Sequence, residues 1–81
     1  MLLRFRGWLI EYVGKAETTI DASNVTVREI LAMLDKGGGE ILEAVDGKSL
    51  FISVNSRVVY DLATQLSNND VVTLFPIGSG G

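Results

Sequence analysis

The chain has 81 residues, enough for one domain, and a domain of this size buries only about 60% of its unfolded surface, so one tight core has to serve. It contains no cysteine and no histidine, which excludes disulfides, thiolate metal sites, iron–sulfur clusters of the ferredoxin type and the commonest general base. A net charge of −3 argues against nucleic acid as the main partner.

Residues 1–7 alternate, with Met1, Leu3 and Phe5 on one face and Leu2, Arg4 and Arg6 on the other, the pattern of a half-buried strand. Arg4 and Arg6 interrupt the apolar run and no small-residue cleavage site follows, so neither a signal peptide nor a membrane span is expected and the protein reads as cytoplasmic. Residues 8–14 either continue the strand or form a short helical connector, and read best as a bent connector ending at Gly14, with Trp8 as a core or half-buried packing residue. Glu17 to Asp21 is β-branched and is expected to pair with the first strand as a hairpin.

Asn24 to Lys36 carries the clearest helical signal. Thr26 and Glu29 make a capping box, and Val27, Ile30, Leu31 and Leu34 form one apolar stripe. Lys36 suits the C-terminal dipole, and Gly37-Gly38-Gly39 is expected to stop the helix. This glycine run follows a helix rather than opening one, so it is no phosphate loop. A further helical turn over 41–45 ends at Asp46-Gly47. In Leu50 to Val54 the positions Leu50, Ile52 and Val54 point to the core and Phe51 points outward. Asn55-Ser56 is a turn, Arg57 to Tyr60 a short strand, 62–66 a loop with two apolar anchors, and 67–70 a tight turn in which Asp70, like Asp61, acts as a turn cap.

The last stretch, Val71 to Phe75, is an apolar strand; Pro76 removes a backbone donor and is expected to end the pairing. Gly78-Ser79-Gly80-Gly81 cannot bury apolar surface and reads as a mobile tail whose terminus is the reactive group. The first and last strands are apolar enough to sit together at the sheet centre. The expected architecture is α+β, a β-grasp with a mixed sheet of four to five strands packed on one main helix: a domain over 1–77 and a tail over 78–81.

These residues resemble the MoaD/ThiS sulfur carriers of the ubiquitin-like group over nearly the whole chain. The resemblance rests on Val54-Asn55, on Leu66 followed by Asn68-Asn69-Asp70-Val71-Val72, on Leu74-Phe75-Pro76 and on Gly80-Gly81, with the Thr26–Leu34 helix and Glu11, Val13 and Gly14 in step. Two departures stand out: Asn68-Asn69-Asp70 replaces the usual Asp-Gly-Asp, and Ile77-Gly78 replaces the common second proline and valine. The resemblance implies a carrier rather than an enzyme, with no bound cofactor and no metal. Its Gly81 carboxylate, next to Gly80, would be adenylated by an activating enzyme that uses ATP, then converted to a thiocarboxylate that donates sulfur, foremost in molybdopterin synthesis. Thiazole or tRNA thiolation, conjugation to target-protein lysines, and a non-reactive interaction domain are the alternatives. Partner-binding candidates are Phe75, Pro76, Ile77, Gly78, Ser79, Phe51, Val71, Arg4 and Arg6, which would meet the activating enzyme or the large subunit of molybdopterin synthase. Lys15, Lys36 and Lys48 read as surface charges.

Overall fold

A computed structural model describes residues 1–77; Gly78 to Gly81, and with them the expected tail and its Gly80-Gly81 terminus, lie outside the described residues. In chain order the elements are β1 (Leu2–Phe5), α1 (Trp8–Val13), β2 (Glu17–Thr19), β3 (Val25–Thr26), α2 (Val27–Leu34), α3 (Glu40–Asp46), β4 (Leu50–Val54), β5 (Arg57–Val59), β6 (Gln65–Leu66) and β7 (Val71–Pro76). Five strands form a mixed sheet in the order β2-β1-β7-β4-β5. The first and last strands do lie side by side at its centre, parallel, with Leu3 opposite Val72 and Phe5 opposite Leu74. β2 completes the expected hairpin with β1, and β4 and β5 form a second.

The period-2 pattern decides which face is buried. Leu3 and Phe5 of β1, Leu50 and Ile52 of β4, and Val72 and Leu74 of β7 all turn inward. They meet Val27, Ile30 and Leu31 of α2, Ile41 of α3 and Leu9 of α1 in one core. Each such side chain contributes about 1.5–3 kcal/mol by burial before ordering costs. The architecture is the α+β β-grasp with α2 as its main helix.

α2 begins as the capping box requires. Glu29 N–H donates to Thr26 Oγ1 at 3.2 Å, and Thr26 N–H donates to Glu29 Oε1 at 2.8 Å. The two remaining first-turn donors are met from a distance, Val27 N–H by the Thr64 carbonyl and Arg28 N–H by the Leu62 carbonyl. The stretch 62–66 is therefore more than a loop with two anchors. Its last two residues pair with β3 as a two-stranded sheet, because closing the helix N-terminus holds 62–66 against Val25-Thr26.

Three local expectations need correction. Residues 8–13 form a short helix ending at Gly14 rather than a continued strand or an irregular bend: Leu9 is buried, Tyr12 and Val13 pack beside it, and Gly14 ends the helix in the left-handed region. Trp8 accordingly lies on the outer side of α1, 41% exposed, with its ring edge-on to Tyr12 at 5.8 Å. α2 stops at Leu34 rather than at the glycines, because Asp35 turns extended and its carboxylate accepts from Gly37, Gly39 and Ile41 N–H, closing the start of α3. Lys36 sets its ammonium 5.0 Å from the Tyr12 ring centre instead of capping a helix end, while its N–H donates to the Tyr12 hydroxyl.

The third correction concerns Pro76. It remains within β7, opposite Leu50, and Ile77 N–H still donates to the Ser49 carbonyl at 3.1 Å. Odd-numbered residues of β7 direct their polar backbone toward β4 and even-numbered ones toward β1, as the Arg6 N–H to Leu74 carbonyl bond shows. The donor that proline lacks would point to the β1 side, where β1 has already turned away at Gly7. Nothing is lost there, so the pairing continues.

Candidate functional site

The outward face of the sheet is built by the residues that alternate with the core. Arg4, Thr73, Ser53 and Val58 follow one another in a row across β1, β7, β4 and β5. The next row toward the end of β7 pairs Phe51 with Phe75, whose rings stack at 6.1 Å with planes 28° apart. Tyr60 joins them edge-on, 6.3 Å from Phe51. Both phenylalanines are half-buried and Tyr60 is 77% exposed, so the three rings form an aromatic ladder open to solvent on one side.

The candidate residues fall into two groups. Phe51, Phe75, Pro76 and the exposed Ile77 gather at the end of β7 from which the last residues depart. Arg6, exposed just beyond β1 and bonded to Leu74, flanks the same end. Arg4 is one row further back, half-buried beside Thr73. Val71 shares the outward face but stands opposite Leu2, about 14 Å along the strand from Phe75 at ~3.4 Å per residue. It does not join the aromatic group. Gly78, Ser79, Gly80 and Gly81 are outside the described residues.

Tyr60 is the member that sequence reading missed as a site residue. The signal was available: Val58 must face outward for Val59 to face in, and Tyr60 repeats the phase of Val58. Lys15, Lys36 and Lys48 are all exposed. Asn55 is more than a turn residue: its side chain ties the β4–β5 turn to β7. Its amide donates to Asp70 Oδ1 and its carbonyl oxygen accepts Val71 N–H, each at 2.9 Å. Asp70 Oδ2 in turn accepts Ser67 N–H at 2.8 Å. That backbone donor, then the Asn55 amide, hold the Asp70 carboxyl below its ordinary value. Turn capping is thus the work of Asp70, and of Asp61 through Ala63 N–H.

What this end of the molecule can do follows from its geometry. β7 is paired with β1 as far as Leu74 and with β4 as far as Pro76, and it ends at Ile77 beside an apolar, aromatic surface with a cation at its edge. Among the described residues, no group of acidic side chains could hold a metal ion, and no helix is long and apolar enough to cross a membrane.

The ThiS family model matches residues 3–81. A protein of Archaeoglobus fulgidus named "Putative sulfur carrier protein" is 32% identical over 78 residues, covering 85% of this chain and 89% of its own. The crystal structure of SAMP1 from Haloferax volcanii superposes with a TM-score of 0.73 at 26% identity, covering 100% of this chain and 98% of that one. A chain of the complex of subunits 1 and 2 of molybdopterin-converting factor from Helicobacter pylori matches with a TM-score of 0.62 at 27% identity, covering 99% and 96%. The chain belongs to the ThiS family, a family of ubiquitin-like β-grasp carrier proteins rather than enzymes.

Proposed function

We propose that this protein is a cytoplasmic sulfur carrier acting through the carboxylate of Gly81. A peptide carboxylate is a poor electrophile. A partner enzyme transfers the adenylyl group of ATP to it, releasing pyrophosphate. A sulfur nucleophile then displaces AMP and leaves a thiocarboxylate, whose sulfur passes to an acceptor in molybdopterin synthesis. Gly80 and Gly81 carry no Cβ, so the terminus can enter an enclosed site and take backbone angles closed to other residues. Gly78 and Ser79 extend its reach.

The observation that carries this reading is the family match running through Gly81, four residues beyond Ile77, whose N–H is held by the Ser49 carbonyl. Phe51, Phe75, Pro76 and Ile77 dock the activating enzyme or a synthase large subunit, Arg4 and Arg6 meet acidic groups on it, and Val71 extends the contact along β7. The likeness to the molybdopterin-converting factor chain supports the molybdopterin branch. The likeness to SAMP1, a small archaeal modifier protein, supports a second reading in which the same adenylate is attacked by a target-protein lysine.

Intact-mass analysis after incubation with ATP, a sulfur donor and an activating enzyme tests the proposal. A shift matching one oxygen replaced by sulfur at Gly81 is expected. An unmodified carboxylate, with an enzyme active on another carrier, would overturn it. An adenylate that goes on to lysine adducts would favour the modifier.

A further inference from the structure

β5 is shorter than the strand it borders. β4 runs over five residues, but β5 pairs with Ile52, Ser53 and Val54 and then leaves. Ser49 and Phe51 direct their backbone groups toward β7, as the Ile77 to Ser49 bond and the Phe51–Phe75 pairing require. The N–H and C=O of Leu50 therefore point the other way, toward the place that β5 has vacated. No described residue hydrogen-bonds to either group. A cavity of about 230 Å³ occupies that place. Its apolar lining comes from Val45, Leu50, Ile52, Val59 and Leu62, its rim from Phe51 and Tyr60, and Asp46 and Lys48 stand at its mouth.

We propose that this notch is a docking site for an extended, apolar segment of a partner protein, added to the sheet as a further rung beyond Val59. The occupant is fixed by three features. An unpaired strand N–H and C=O is answered best by another extended backbone. The apolar lining takes a side chain of valine or isoleucine size. The mouth carries one carboxylate and one ammonium, which selects against a segment with net charge of either sign. Leu50 is nearly fully buried in the isolated chain. The segment therefore enters as the stretch 60–62, whose Tyr60 and Leu62 border the cavity, swings away from β4, and the Tyr60 ring, edge-on to Phe51, packs along it. Phe51 and Tyr60 also belong to the aromatic ladder, so a partner seated on the outward face can continue around the sheet edge into the notch. The site needs no activated terminus, and a chain lacking Gly81 would bind equally well.

The test is an amide-resolved NMR titration of the full chain with an acetylated and amidated Thr-Val-Ile-Val-Thr peptide. Saturable shifts at Leu50, Val59 and Tyr60 are expected, with slowed exchange of the Leu50 amide. The same peptide N-methylated throughout should bind at least about tenfold more weakly, since it cannot donate to the Leu50 carbonyl. Tyr60→Asp, at an exposed position that leaves the fold intact, should weaken binding while Lys15→Asp does not. Shifts confined to Val71 and Phe75, equal binding of the N-methylated peptide, or an unmoved Leu50 amide would each overturn the proposal. Concentration-dependent shifts at the same amides without peptide would assign the notch to a second copy of this chain and overturn it too.

Discussion

Gly7 lies against Pro76: a Cβ built on Gly7 would stand 2.6 Å from the proline Cγ. Gly7 also has φ 58 and ψ −138, a conformation that L side chains rarely adopt. The contact lets α1 start at the point where β7 delivers the end of the domain. Gly7→Ala should therefore destabilise the fold by about 1–3 kcal/mol through backbone strain alone, with the clash added to it. Urea denaturation measures the loss. Adding Pro76→Ala should recover the part due to the clash and leave the part due to φ, which a double-mutant cycle separates.

The β4–β5 turn holds a smaller strain. Asn55 and Ser56 both have positive φ, 52 and 72, as a two-residue turn between twisted strands demands. Asparagine tolerates this region and its side chain is used by Asp70 and Val71. Serine has no such compensation. Ser56→Gly is expected to stabilise the protein by about 0.5–1 kcal/mol, the relief of strain exceeding the added chain entropy. In a domain of this size that raises Tm by several degrees in a thermal melt.

Asp35 and Asp70 are expected to contribute to the acid sensitivity of the fold. Gly39 N–H first, then Gly37, hold the Asp35 carboxyl below its ordinary value of 3.8. Asp70 is lowered likewise, by Ser67 N–H first and then by Asn55. A carboxyl with a depressed folded pKa binds its proton more readily in the unfolded chain. The stabilisation is complete above the ordinary value and is lost as pH falls through the lower folded one. Stability measured from pH 7 downward should hold to about pH 5 and then decline. Asp35→Asn should lower Tm at pH 7 and flatten that decline. An unchanged acid limb in the Asp35→Asn, Asp70→Asn double variant would show that other groups set it.

Much of this was legible in the chain because the periodicities are clean. Met1, Leu3 and Phe5, the Thr26–Glu29 box, and Leu50 and Ile52 each specify a face or a start without tertiary help. The misread stretches are those where a distant residue decides. Residues 8–13 look ambiguous over so short a span, and the chain reverses at Gly7, against Pro76, just before they turn helical. The glycines mark the end of α2 in the sequence, whereas the helix stops earlier because the carboxylate of Asp35 accepts from Gly37, Gly39 and Ile41 N–H. Pro76 stays in β7 because its neighbour on one side has left, a fact of topology. Of the site, Phe51 and Phe75 were readable from alternation, but their stacking depends on the β4–β7 register and Tyr60 on where β5 ends.

That stacked pair is the sharpest handle on the proposed docking face. Phe51 and Phe75 carry little of the core, whose buried rows lie on the opposite side of the sheet. Phe75→Ala removes one stacking contact, about 0.5–1.5 kcal/mol beyond lost area, and should lower Tm by a few degrees while leaving the chain folded. If the ladder seats the activating enzyme, the same change should cut kcat/KM for adenylation of this carrier at least about tenfold, as loss of a buried aromatic anchor does at other interfaces. Leu31→Asp provides the contrast, since a charge in the core should unfold the domain outright. Deleting Gly81 provides the other: the fold should melt as before, yet adenylation should vanish with the carboxylate at its proper distance. Undiminished adenylation of Phe75→Ala would move the docking surface elsewhere, and undiminished adenylation after loss of Gly81 would remove the terminus from the chemistry.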